Sequence, residues 1–308
     1  MEGRASADLL IIGASGQDGA LLSQLAREEG IAWAGTSRTG KNGLIELDPS
    51  DPTALAAVCD RIRPRRIVLL AAQSSVGRSF QDPAGTWQAN TAPVAAACEW
   101  IRTRDPTVRL VFAASGECFG PRSRGCPARE DDPFAPVTPY GASKAAAALL
   151  VRSYREAFGL PLSVAFLFNH EGPQRGEQFV FGKVIAGLRR FRSGHGVPIE
   201  LGDLSVVRDW GWARDYAAAM LRMTDLAQPC DLVLATGRSV SLAQAVEALV
   251  AHEGLEWSEA IAAADPTLSH HRAGDEQHAD PSLAKQVIEW TGSTPFPELA
   301  AKLLGPGP

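Results

Sequence analysis

Along the 308-residue chain, short apolar runs alternate with longer stretches in which Ala and Leu recur at helical spacing. The short runs fall at 8–12, 31–35, 44–47, 66–70, 108–113 and 163–168. They are too short for helices and predict buried strands of a parallel sheet. Stretches 20–29, 52–63, 93–102 and 142–158 lie between them and predict crossover helices. The first half therefore reads as βαβ units, with helices on both faces of one doubly wound sheet.

Beyond about residue 170 the rhythm changes. A Gly/Pro/Arg loop leads to a helix near 183–191, a short strand near Ile199 and a returning strand at 231–235. Ser241 and Gln244 form a capping box for a helix running through Val250, because hydroxyl and amide can satisfy each other's backbone N–H. A last helix is expected at 297–304, after a histidine pair at 270 and 271.

Composition narrows the class. With 45% hydrophobic and 21% charged residues, the chain can bury a large core in one α/β domain or a large-plus-small pair, and disorder is excluded as its main character. A net charge of −5 with scattered Lys and Arg argues against a nucleic-acid partner, since binding by counterion release needs clustered cations. The apolar run before Gly13 is too short for a secretory segment, and no stretch reaches the roughly 18 apolar residues of a membrane helix. A cytoplasmic protein with no membrane partner is expected. The five cysteines are widely spaced without a CxxC pair, so reduced thiols and no metal site are expected.

Gly13-Ala-Ser15-Gly16-Gln17-Asp18-Gly19 follows the first strand and opens the first helix. Glycines there permit a tight turn and close approach of a pyrophosphate, which the helix N-terminal amides then face. This predicts a dinucleotide-binding Rossmann domain over 1–168, with returning segments near 205–236, and a smaller substrate-binding region from 169–204 and 237–308. The second strand ends in Gly35-Thr-Ser-Arg38. It has no carboxylate for a ribose 2′-hydroxyl and one Arg for a 2′-phosphate, which favours NADP, with NAD the alternative. Asp48, after the third strand, is a candidate for the adenine amino group or for an Asp-Pro turn.

Ser115 ends a strand, Glu117 follows it, and Tyr140-Gly-Ala-Ser-Lys144 opens a helix. Side chains at i and i+4 share a helix face. An ammonium beside a phenol is expected to lower the phenol from its reference of about 10, making tyrosinate available as a general base. Ser115 can donate to the same substrate oxygen.

At these residues the chain resembles the extended short-chain dehydrogenase/reductase family, and within it the GDP-mannose 4,6-dehydratases. The motifs are GASGQDG, AAQSSVGRSF (71–80), SGECFG (115–120), PFAPVTPYGASK (133–144), FNHEGPQRGEQFV (168–180), LGDLSVVRDWG (201–211) and LATG (234–237). The resemblance implies oxidation of a nucleotide sugar at C4, elimination of water across C5 and C6, and return of the hydride to C6. Tyr140 is then the oxidation base, Lys144 its electrostatic partner, Ser115 the donor to the 4-oxygen and Glu117 the group that takes the C5 proton.

By family position, Ala71, Ala72, His170 and Arg175 join the glycine turn at the cofactor. Ser75, Asn169, Lys183, Arg208 and Arg272 face the nucleotide sugar, cations suiting its diphosphate. The resemblance also implies a homodimer, with a tetramer as the alternative. The Ala-rich stretches 93–102 and 142–158 are expected to pair across a two-fold axis.

Three departures bear on the chemistry. The family's Thr-Ser-Glu triplet is Ser115-Gly116-Glu117 here; the basic loop after the second strand is reduced to RTGKNG (38–43); and the C-terminal substrate segment is short. A 4-keto nucleotide-sugar reductase or an epimerase with the same Ser/Tyr/Lys set therefore stays open.

Overall fold

The computed structural model describes residues 7–173, 175–265, 275–292, 294 and 298–305. Strand β1 (Leu9–Ile12) leads through helix α1 (Gln17–Glu28) to β2 (Trp33–Ser37) and then β3 (Ile45–Glu46). Helix α2 (Pro52–Ile62), β4 (Arg66–Leu69), the short α3 (Val76–Gln81), α4 (Pro83–Arg104) and β5 (Arg109–Ser115) follow. Next come α5 (Pro139–Phe158), β6 (Leu162–Leu167), β7 (Asn169–Glu171), α6 (Val180–Arg192), β8 (Val207–Trp212), α7 (Ala213–Met223), β9 (Leu232–Leu234), β10 (Ser239–Ser241) and α8 (Leu242–His252).

Seven strands form one parallel sheet in the order β3-β2-β1-β4-β5-β6-β9. The order runs outward in both directions from β1 and β4, so their C-terminal ends flank the switch point where such sheets bind ligands. Alternation along each strand splits the core. Leu10, Ile12, Ile67, Leu69, Phe112 and Phe166 pack with α2, α4 and α5 on one face. Leu9, Ile11, Val68, Val111 and Ala165 pack with α1 and α7 on the other. Both faces being covered explains the unbroken apolar runs. A smaller sheet, β10-β8-β7, packs with α6, α8 and the helix Glu298–Leu304 around Trp210.

Several boundaries differ from the sequence expectation. Strand β2 begins at Trp33, two residues after the expected 31, because Gly30 turns at φ 68° and the Ile31 amide donates back to Ala26, so that Ile31 serves to end α1. The helix expected to start at Pro93 starts at Pro83: Asp82 caps it by accepting from Gly85 N at 2.9 Å, and Pro93 lies buried inside it. Pro suits the first helical position, and here Pro83 holds that place. Near Ile199 there is a single bridge to Ile261 instead of a strand. The capping box at Ser241 and Gln244 forms as expected. Among the described residues no helix is long and apolar enough to cross a membrane.

Candidate active site

The glycine turn lies between β1 and α1, against the end of β4. Gly13 sits at φ 100°, and a Cβ there would meet Ala71 N at 2.8 Å; a Cβ at Gly19 would meet Gly13 O at 2.4 Å. Packing within the chain therefore explains both glycines. Gly16 is different, since the nearest atom to its Cβ position is Gly13 O at 3.7 Å, and it precedes α1 without a side-chain cap. Its glycine leaves room for an outside group against the α1 amides, which suits a pyrophosphate. Ser15 is exposed on the same turn and Ala71 and Ala72 follow β4 beside it, so the residues present fit a dinucleotide.

Gln17 and Asp18 face the second sheet. His170 Nδ1 lies 2.7 Å from Phe168 O and Nε2 lies 3.1 Å from Asp18 Oδ2, while the ring stacks on Tyr216 with centroids 4.6 Å apart. Burial acts to lower His170, but the Asp18 charge and hydrogen bond outweigh it and raise the imidazole; burial likewise opposes the Asp18 carboxyl, which His170 holds low. Arg175 Nε lies 3.2 Å from Glu171 Oε2 without hydrogen-bond alignment, and the guanidinium stands 3.7 Å over the Phe179 ring.

Arg38 is exposed just past β2. Asp48 Oδ1 accepts from Ser50 N at 3.0 Å and Ser50 Oγ at 2.7 Å, so the local turn engages this carboxylate. Those bonds, with the Arg38 charge in a lesser part, hold the Asp48 carboxyl below its usual range.

Ser115, Glu117, Tyr140 and Lys144 meet where β5 ends and α5 begins. Ser115 Oγ accepts from Glu117 N at 3.2 Å and starts a 3-10 turn over Gly116–Phe119. Thr138 caps α5 by accepting from Gly141 N at 2.9 Å, and Pro139 fills the first helical position. This places Tyr140 and Lys144, both buried, on the face toward the sheet.

A carboxylate on this turn has two anchors among the described residues. Glu117 Oε1 accepts from Gln277 Nε2 at 2.7 Å, and Oε2 lies 3.4 Å from the Thr138 hydroxyl. Gly116 has its own reason: a Cβ there would meet three atoms of the Phe168 ring at 3.0 Å. The ring occupies the space that a middle Ser side chain would enter.

The electrostatics of the pair differ from the sequence expectation. Burial raises the Tyr140 phenol above its ordinary value, while the Ser115 hydrogen bond and, more weakly, the Arg175 charge pull it down. Lys144 donates to Ala113 O at 2.7 Å and lies 4.8 Å from the Phe112 ring centroid, and burial pushes its ammonium down to about 8. Lys144 is thus committed to a backbone carbonyl, and it is Ser115 that first opposes the desolvation of the phenol.

Of the substrate candidates, Arg208 comes to this centre. It is buried on β8, donates to Val207 O and Asp275 O, each at 2.8 Å, and feels the Glu117 charge, although burial lowers it. Ser75 caps α3 by accepting from Arg78 N at 3.2 Å. Asn169 is exposed at the start of β7, and Lys183 is half-buried in the first turn of α6. Arg272 lies outside the described residues.

Several supporting residues escaped the sequence reading. Buried Asn90 donates to Gln73 O at 3.1 Å and to Ser143 Oγ at 2.8 Å, and Ser143 Oγ donates to Tyr140 O at 2.7 Å. These bonds fix the start of α5 against the end of β4. Gln277 and Thr138, the anchors of Glu117, also went unremarked. The one available signal was that Thr138 precedes a Pro at a helix start.

A sequence profile of the family described as GDP-mannose 4,6 dehydratase matches residues 10–303. The GDP-mannose 4,6 dehydratase 1 of Arabidopsis thaliana is 32% identical over 320 residues, covering 96% of this chain and 88% of that protein. Among solved structures, the UDP-glucose 4-epimerase of Thermus thermophilus in complex with NAD superposes with a TM-score of 0.84 at 23% identity, over 96% of this chain and 97% of the other. RMD from Pseudomonas aeruginosa, complexed with NADPH, gives a TM-score of 0.82 at 22% identity, over 96% and 98%. Both share the fold described above.

Proposed function

The chain belongs to the GDP-mannose 4,6-dehydratase family, within the extended short-chain dehydrogenase/reductase enzymes, and from that premise we propose that it converts a nucleoside-diphosphate hexose to its 4-keto-6-deoxy form. The observation that carries the reading is the carboxylate of Glu117, anchored two residues beyond Ser115 and close enough to Tyr140 for its charge to act on the phenol. Reduction or epimerisation at C4 needs only the Ser/Tyr/Lys set. Elimination also needs a base for C5.

A nicotinamide dinucleotide supplies a hydride acceptor for C4 and a hydride donor for C6. The turn from Gly13 to Gly19, with Ser15, Gly16, Gln17 and Asp18, would hold its pyrophosphate. Ala71, Ala72, Lys144, His170 and Arg175 would line the rest, and Arg38 and Asp48 the adenosine end. In this reading Tyr140 takes the proton of the sugar 4-hydroxyl while Ser115 donates to the same oxygen. With C4 a ketone, the C5 hydrogen is acidified and Glu117 removes it. The electron pair forms the C5–C6 double bond, and the C6 hydroxyl leaves as water with the proton from Glu117. The proton taken from the 4-hydroxyl balances the one C5 needs when hydride returns to C6, so no cofactor is consumed.

Incubation of the purified protein with a panel of nucleoside-diphosphate hexoses, followed by mass spectrometry, tests this through loss of one water without net oxidation of NADPH. Stoichiometric NADPH consumption on a 4-keto sugar would instead establish the reductase. Gly116 favours that second reading, because it leaves the turn without a hydroxyl to assist the leaving water.

Arg38 bears on the choice of dinucleotide. Arg38→Ala is expected to weaken NADPH binding about tenfold, the low end for a hydrogen bond to a charged group, and to leave NADH almost unchanged in a fluorescence titration. Equal losses for both cofactors would remove Arg38 from 2′-phosphate recognition.

We also propose a homodimer through α4 and α5. Beside small alanines their outer surfaces present Trp87 and Leu149, 51% and 53% exposed, and an apolar patch on paired helices suits a two-fold interface. Light scattering at micromolar concentration should give a dimer, and Leu149→Arg a monomer. A monomeric wild type would rule this interface out.

A further inference from the structure

Gln277 comes from the C-terminal part of the chain, far in sequence from the residues it meets. Its backbone is fixed on two sides: its amide donates to Val207 O at 3.0 Å and its carbonyl accepts from Ser239 Oγ at 2.9 Å. The flanking residues cross to the large sheet's side, with Arg122 N donating to Glu276 O at 2.7 Å, Ala128 N to His278 O at 2.8 Å and Asp280 N to Ala128 O at 2.9 Å. This strap, tied to β8 and to the loop after β5, passes by Glu117.

Gln277 is only 4% exposed, and its Nε2 donates to Glu117 Oε1 at 2.7 Å. A carboxylate can only accept, so the amide must turn its NH2 toward it. A donor fixed in this way is pre-organised, and hydrogen bonds to ionised acceptors are about twice as strong as neutral ones. The two oxygens of Glu117 are unequal as a result. Oε1 is held, while among the described residues Oε2 has only the stretched 3.4 Å contact with Thr138.

We propose that Gln277 is a positioning residue for elimination, holding the Glu117 carboxylate through Oε1 and leaving Oε2 as the atom that takes the C5 proton. This rests on the dehydratase reading. It goes further by assigning the strap a part in the second step of the reaction and none in the first. What the bond supplies is orientation, because it fixes one oxygen of the carboxylate and thereby the direction of the other.

Two variants of the full-length protein separate positioning from folding. Gln277→Met keeps the length and removes the donor, while Gln277→Glu keeps the outline and opposes one carboxylate with another. For each, besides steady-state turnover and KM, three quantities are measured with the nucleotide hexose that the wild type dehydrates: growth of enzyme-bound NADPH absorbance, solvent-deuterium incorporation at C5, and cofactor affinity.

The expected result is a ten- to hundredfold fall in C5 exchange and turnover for Gln277→Met, the scale of one hydrogen bond to a charged group. A larger fall is expected for Gln277→Glu. The rate of NADPH formation, KM and cofactor affinity should stay near wild type in both. Wild-type C5 exchange in both variants would overturn the proposal, and so would a parallel loss of all three quantities, which marks a structural role. If the wild type itself exchanges no deuterium at C5 on any nucleotide hexose, the dehydratase reading fails and takes this proposal with it, an outcome distinct from variants that exchange normally.

Discussion

Tyr140→Phe should stop the reaction before any hydride moves. Loss of a general base lowers rate by about 10²–10⁴-fold, and in the proposed reaction Tyr140 acts in the step that creates the C4 ketone. Without the ketone the C5 hydrogen keeps its ordinary acidity, so Glu117 has nothing to remove. No bound NADPH absorbance and no deuterium at C5 are expected. The substitution is mild for the fold, since Tyr140 is buried at the start of α5 and Phe keeps its ring. The lost hydroxyl interacts with Ser115, and a neutral hydrogen bond is worth about 1 kcal/mol net. Cofactor affinity and thermal midpoint should change little. Appearance of bound NADPH at the wild-type rate would show that some other group takes the 4-hydroxyl proton.

The structure also sets what Tyr140 has to overcome. Burial holds the phenol above its ordinary value and brings Lys144 down to about 8, with the ammonium on the Ala113 carbonyl. The sequence shows Tyr and Lys four apart at a helix start, which fixes a shared face. It does not show that the end of β5 offers a carbonyl to the ammonium, because that depends on how α5 lies on the sheet.

The same limit governs the fold. The parallel strands were legible because both faces are covered, leaving apolar runs such as 9–12 and 110–114 with little polar interruption. Strand β8 reads VRDWGW, and its Arg208 and Asp209 are buried against the expected pattern. Asp209 accepts from the backbone amides of Thr236, Gly237 and Arg238 at 2.8, 2.8 and 3.0 Å, while burial raises its carboxyl to about 6. A buried charge is tolerable when such partners satisfy it, and those partners lie almost thirty residues away. Long-range polar satisfaction leaves no periodic signal, which is why β8, Asn90 and Gln277 went unread while the glycine turn and the Tyr/Lys pair did not.

Glu117→Gln is expected to divide the reaction where Tyr140→Phe forbids it altogether. The substituted amide has the same outline, its oxygen can still accept from Gln277 Nε2, and its NH2 can face the Thr138 hydroxyl, so both contacts of the turn survive in kind. In the proposed reaction oxidation at C4 depends on Tyr140 and Ser115, and should proceed. Removal of the C5 proton depends on a carboxylate, and an amide cannot take it. Turnover should therefore fall by about 10²–10⁴-fold, with NADPH absorbance accumulating on the enzyme, no deuterium at C5 and no loss of water by mass spectrometry. Acid quenching should then release the 4-keto sugar with its 6-hydroxyl intact. Dehydration by Glu117→Gln at the wild-type rate would show that another group moves the C5 proton. Absence of bound NADPH in this variant, with cofactor affinity intact, would show that Glu117 is needed already at oxidation, and the division of labour between Tyr140 and Glu117 would have to be redrawn.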